Sequence, residues 1–265
     1  MKRLLITLFS ALLFALPLRA QEVPSRPLFL GLEGGVGLGS FRDYGASPLV
    51  IRGPELRSGV HLERCDTLWR WDVGAALAGG GYGYRARLSA LMAYGGQLSV
   101  HAELLHRVLH GDGWRLWAGA RVDDLFDIRY NSQLSNASVG MSNFIRLRLT
   151  ARAEYGYRRW LGYAQLWADP VAVMLRPGFS YVNNYDRDVS NPVACAFDQY
   201  EWYVAGGTGL ASQLGVRYCL RGGNQVGAAY CWQYVSSKQS SAADSAPWRF
   251  QQAAHGLVLQ LLFFL

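Results

Sequence analysis

The sequence predicts an all-β fold: a transmembrane, antiparallel, up-and-down barrel of about ten strands. Three observations carry this. Leu257, Leu259, Leu261, Phe263 and Leu265 form an every-second-residue apolar ladder up to the C-terminal residue. The first twenty residues read as an export signal. Apolar residues make up 51% of the chain, yet mean hydropathy is close to zero, which alternation produces and long apolar helices do not. A period-two apolar stripe needs a solvent for its outward face, and an exported chain in a two-membrane cell finds it in lipid.

The export signal has a positive start, Lys2 and Arg3, an apolar run from Leu4 to Leu18, and a cleavage neighbourhood at Arg19, Ala20 and Gln21. Leu18 is larger than the small residue such sites prefer. This divides the chain into a signal at 1–20 and one barrel domain at 21–265. The apolar run is shorter than the roughly 20 residues of a helical span, and no later segment is longer. No cysteine stands near the cleavage point to take a lipid anchor.

The strands follow in order. Leu28 to Gly39 places Leu28, Leu30, Leu32, Val36 and Leu38 on one face. A long loop is expected through Arg42, Asp43, Pro48 and Pro54, then a weaker strand from Arg57 to Cys65 and a turn at Asp66 and Thr67. The third strand faces Trp69, Trp71, Val73, Ala75 and Leu77 outward and Arg70 and Asp72 inward. Gly79 to Gly83 suits a turn or a tight barrel corner. The fourth, from about Leu88 to Leu104, points Gln97, Ser99, His101 and Glu103 inward.

After a turn at Gly111 to Gly113, the fifth strand faces Arg115, Arg121 and Asp123 inward. The sixth alternates Ile145, Leu147, Leu149, Ala151, Ala153 and Tyr155 with Arg146, Arg148, Thr150, Arg152 and Glu154. The seventh, Trp160 to Leu175, meets Asp169 and Pro170, where a bulge is expected because proline removes a ladder donor. The eighth runs from Tyr200 to Leu220 with Glu201, Gln213 and Arg217 on its polar face, and a break is expected at Gly206, Gly207 and Gly209. The ninth covers Gln225 to Val235 and the tenth ends at Leu265. Eight or twelve strands are the alternatives to ten. Long and short connections alternate, and an even count returns both termini to the periplasm. Trp69, Trp114 and Trp160 each follow a short turn and predict an interfacial girdle.

Four short motifs stand out: Trp114, Arg115 and Leu116 opening a strand, then Tyr130, Asn131, Asn136, Ala137 and Ser138 in the loop, then Asp169, Pro170 and Val171, and finally Pro177, Gly178, Ser180 and Tyr181. In these residues the stretch from Gly113 to about Asp186 resembles a group of uncharacterised outer-membrane β-barrel families of the Bacteroidota. The resemblance covers less than a third of the chain. It implies an exported barrel and carries over no activity and no functional residues.

The formal charge of +7 falls to +4 once Lys2, Arg3 and Arg19 leave with the signal. Nearly all basic residues are arginines placed singly at alternate strand positions, which argues against a nucleic-acid face. His101, Glu103 and Asp123 are the candidates for general-base chemistry, as they share inward faces of neighbouring strands. Against catalysis stand the interleaved Arg70, Arg115, Arg121, Arg146, Arg148, Arg152 and Arg217, with carboxylates such as Asp72 and Glu154. A small barrel fills its lumen with such pairs. No metal-ligand spacing or cofactor motif is visible.

Cys65, Cys195, Cys219 and Cys231 would meet an oxidising compartment, and Cys195 with Cys231 is the best-placed pair if a bridge forms. The loops at Tyr130 to Asn143 and Tyr181 to Tyr200 carry Asn, Ser, Tyr and Asp, a composition for recognising sugars, lipopolysaccharide or proteins. The sequence therefore predicts a plugged, non-enzymatic barrel of the bacterial outer membrane that interacts with lipid and with envelope or secretion-system proteins. A narrow anion-preferring pore is the alternative, and an outer-membrane lipid or peptide hydrolase the third reading.

Overall fold

Alternation of apolar and polar residues commits these segments to strands, and the computed structural model joins them into a closed wall. It describes residues 27–43, 47–86, 89–131, 139–175, 200–204, 209–239 and 248–265. The signal at 1–20, Asn136 to Ser138, the loop at 176–199 with Cys195, and Gly206 and Gly207 lie outside the described residues.

The strands are β1 (Leu28–Asp43), β2 (Ser47–Cys65), β3 (Trp69–Ala86), β4 (Ser89–Gly111), β5 (Trp114–Tyr130), β6 (Val139–Tyr157), β7 (Trp160–Leu175), β8 (Tyr200–Val204), β9 (Gly209–Cys219), β10 (Gln225–Gln239) and β11 (Trp248–Phe264). All neighbours pair antiparallel. The first strand meets the last along a ladder from Phe29–Phe264 to Asp43–Phe250. The β6–β7 pairing completes the circle. Closure of the ladder through β6–β7 removes the free edges that a sheet cannot present to lipid; among the described residues only the short β8 pairs on one side alone.

β8 and β9 both pair with β7, at Val171–Leu175 and Trp160–Ala168 respectively, so they share one position and the wall has ten. The ladder between β6 and β7 shifts register between Leu147 and Leu149, opposite Asp169 and Pro170. There the extra residue of a bulge turns Asp169 inward. Gly209 makes room for it, since a Cβ at that position would collide with the Asp169 carboxylate.

Two expectations are corrected. Arg42 and Asp43 belong to β1, and Pro48 and Pro54 to β2, so only 44–46 separate these strands and the alternation of long and short connections is incomplete. Pro54 is accommodated because the β2–β3 ladder skips from Arg52–Gly83 to Glu55–Gly80 beside it. Gly79 to Gly83 lies within β3. Gly53 and Gly80 let the two backbones approach there, because a Cβ on either would strike a carbonyl of the facing strand.

The outer face is an apolar belt, with Leu56 70%, Leu77 57%, Leu149 58%, Leu214 63% and Leu259 69% exposed. At the end with tight turns, Trp69, Trp114 and Trp160 stand outward, joined by Tyr155 and Tyr157. Trp114 pairs across the ladder with Tyr155, and Trp160 with Tyr157. Asp66 caps its turn by accepting from Leu68 N and Trp69 N at 3.0 Å. Cys65, Cys219 and Cys231 are free thiols. Cys231 faces Gln213 and Cys219 faces Gln225, so the two cysteines are not opposite each other.

Candidate functional site

The interior is built in layers. Toward the loop end, Phe41 of β1, Ile51 of β2, Tyr82 of β3, Ala93 of β4, Leu125 of β5, Phe144 of β6, Met174 of β7, Val235 of β10 and Phe250 of β11 form one buried cluster. Phe144 and Phe250, on strands that share no ladder, have ring centroids 5.6 Å apart. Polar groups sit against it: Tyr82 OH donates to Glu55 Oε1 at 2.7 Å, and Arg129 bridges Asp127 and Asp43 and lies over the Phe250 ring.

Next comes a lattice of guanidiniums and carboxylates. Arg146 Nε and Nη2 donate to the two oxygens of Asp123 at 2.9 and 2.6 Å. Arg148 Nε donates to Asp169 Oδ1 at 2.8 Å and lies 3.3 Å from Asp123. Asp123, Arg146, Arg148 and Asp169 are all at least 96% buried. A planar guanidinium binding a carboxylate through two donors holds such a pair in fixed geometry.

Nearer the turn end, Arg70 bridges Glu63 and Glu154, each at 2.7 Å. Arg152 Nε donates to Glu154 at 2.7 Å, Arg217 Nη1 to both oxygens of Glu63 at 3.1 Å, and Trp117 Nε1 to Glu154 at 3.1 Å. The Tyr163 ring lies under both Arg152 and Arg217, at 4.1 and 5.1 Å. Arg115, the outermost member, has a half-exposed side chain and lies 3.3 Å from Glu154. Arg121 faces the Trp167 ring at 5.5 Å. The nine lumen positions expected from alternation, Arg70, Asp72, Arg115, Arg121, Arg146, Arg148, Arg152, Glu154 and Arg217, thus all engage interior partners.

The three general-base candidates lie on neighbouring strands around one cavity, each with a partner of its own. His101 Nε2 meets Asp72 Oδ1 on β3. Glu103 accepts from Gln165, Trp167 and Thr150 at 2.8 to 3.3 Å. Asp123 is held by Arg146 and Arg148. Each group has its own hydrogen-bond or ion-pair partner, although His101 and Asp123 are ladder partners and all three border one cavity.

Alternation missed several interior groups. His61 and Glu63 on β2 continue the inward face that Arg57 begins, a signal visible in the sequence. Asp169 required the bulge, and the apolar cluster required the register of nine strands. Among the layers lies a cavity of about 220 Å³ bordered by His61, Asp72, His101, Arg121 and Gln213.

A closed antiparallel wall, apolar outside and polar or plugged inside, defines the class of transmembrane β-barrels. No family model matches the chain and no curated protein does. Among solved structures, the outer membrane protease OmpT from Escherichia coli aligns with a TM-score of 0.46 at 7% identity, over 91% of this chain and 96% of that one. The transport unit of the autotransporter AIDA-I from Escherichia coli gives 0.38 at 9% identity, over 95% of each. Neisserial surface protein A (NspA) gives 0.33 at 10%, over 88% and 97%. No residue or role is carried over from them.

Proposed function

We infer that the protein is a non-conducting outer-membrane barrel, with both termini in the periplasm, that works through its loops and rims as an interaction or envelope-assembly component. The observation that carries this is the set of contacts across the lumen. Phe144–Phe250, Arg70–Glu154, Arg217–Glu63 and Gln165–Glu103 join strands that are not ladder neighbours. An open channel would keep such walls apart, and ten strands enclose far less space than the 16 to 18 of porins. The exported start, the apolar belt and the tryptophan girdle support the location. The motif resemblance between Gly113 and Asp186 supports an origin among the Bacteroidota families.

Purified mature protein in a planar bilayer tests the sealed lumen. No steps above the background of a mock insertion are expected, whereas regular anion-preferring steps would replace this reading with the pore. Cross-linking in the native envelope followed by mass spectrometry tests the second half: a reproducible protein partner absent from an unrelated barrel supports assembly. Recovery with lipopolysaccharide alone speaks against it.

A further inference from the structure

Guanidiniums face most interior carboxylates, and the exceptions fall together. Among the described residues, Glu33, Asp72 and Glu103 have no guanidinium within ion-pair distance. Glu103 takes the neutral donors of Gln165, Trp167 and Thr150. Glu33 accepts only the Gln260 amide, at 2.7 Å, and Asp72 meets only His101. Two carboxylates are thereby left with little compensation beside the cavity, and buried charge demands it.

Both stand next to inward-facing imidazoles. The ladder sets Glu63 opposite Asp72 and His61 opposite Gly74, so two strands with no recognisable spacing motif converge on one point. Ligand atoms of His61, Glu63 and Asp72 lie within 4.8 Å of one another. The His61 side chain is 91% buried, borders the cavity, and makes no hydrogen bond among the described residues. Gly31 and Gly74 clear space for it, since a Cβ on either would strike the His61 side chain.

We propose that His61, Glu63 and Asp72 bind a first-row divalent cation of the zinc type inside the barrel. One imidazole with two carboxylates suits such an ion, and carboxylate-only sites suit calcium or magnesium better. The supporting partners are in place. Glu33 Oε1 lies 4.0 Å from His61 Nδ1. His101 orients Asp72, and Arg70 and Arg217 hold Glu63. Such outer partners typically fix ligand orientation and protonation. The charges of Glu33 and Asp72 match a dication. The ion would add a side-chain tie between β2 and β3, whose backbones already pair from Glu55–Gly80 to Cys65–Arg70.

The test uses untagged, detergent-solubilised barrel stripped with chelator and titrated with Co²⁺, then with Zn²⁺ in competition. Saturable binding near one equivalent, displaced by Zn²⁺, is expected. His61→Gln and Asp72→Asn should each weaken it at least about tenfold, while the outward-facing His255→Gln leaves it unchanged. X-ray absorption of the zinc-loaded wild type should show nitrogen and oxygen ligands only. Absence of saturable binding by wild type overturns the proposal without any variant. Sulfur scattering, or affinity unmoved by both substitutions in barrels that retain heat-modifiable gel mobility, would overturn it as well.

Discussion

Phe144 on β6 and Phe250 on β11 meet across the barrel interior with ring planes 31° from parallel. Both are at least 98% buried, although the strands that carry them are not neighbours in the wall. The interior near the loop end is therefore packed like the core of a soluble protein. Phe144→Ala and Phe250→Ala should each destabilise the barrel by about 3–5 kcal/mol in denaturant unfolding from micelles. The double variant should lose less than the sum, because the two rings share one contact. Single losses under about 1 kcal/mol would mean that the cluster is not packed.

The Asp123–Arg146 pair predicts an asymmetry. Asp123→Asn leaves Arg146 and Arg148 facing each other with one fewer carboxylate, and should cost about 3–5 kcal/mol. Asp123→Leu combined with Arg146→Met removes both charges and retains the Arg148–Asp169 bond. That double variant should unfold closer to wild type than Asp123→Asn does. The opposite order would show that the pair contributes more than shape and neutrality.

The outer belt separates a membrane barrel from a soluble one. Leu257 is 63% exposed, whereas the next residue, Val258, is 5% exposed. In lipid vesicles Leu257→Arg should cost about 2–4 kcal/mol if the position lies near the bilayer midplane. On a solvated surface the same change would stay within about 0.5 kcal/mol. Refolding titrations into vesicles measure the difference.

Trp69, Trp114 and Trp160 should lie at headgroup depth. Variants that each retain one of the three, with the remaining six tryptophans changed to phenylalanine where the fold permits, can be refolded into vesicles containing brominated lipids. Quenching should be strongest for bromines nearest the headgroup. Stronger quenching from the bilayer centre would remove the girdle and reposition the barrel.

The strand faces were legible because a barrel strand has one period and two solvents. Ile145 to Tyr155 alternates without exception, and the structure exposes each apolar member while burying Arg146, Arg148, Arg152 and Glu154. The Asp169–Pro170 bulge was legible from the missing proline donor. Pro54 misled for the same reason: a ladder that skips around it accepts a proline that a regular ladder would refuse.

Partnership across the lumen was not legible. The inward position of Glu63 follows from period two, but its bonds to Arg70 on the neighbouring strand and to Arg217, 154 residues later, depend on register and closure. His101, Glu103 and Asp123 share adjacent inward faces, but His101 meets Asp72 and Asp123 meets Arg146 on neighbouring strands, whereas Glu103 accepts from Gln165 and Trp167 across the lumen.

By itself the sequence determined which residues face outward and which inward, since side-chain direction alternates with every peptide and needs no knowledge of the partner strand. Only the tertiary structure decided how the interior is divided into an apolar plug, an ion-pair lattice and a cavity bordered by His61, Asp72 and His101. Those groupings depend on how ten strand positions are staggered around a closed wall, and a shift of one residue in any ladder would reassign them.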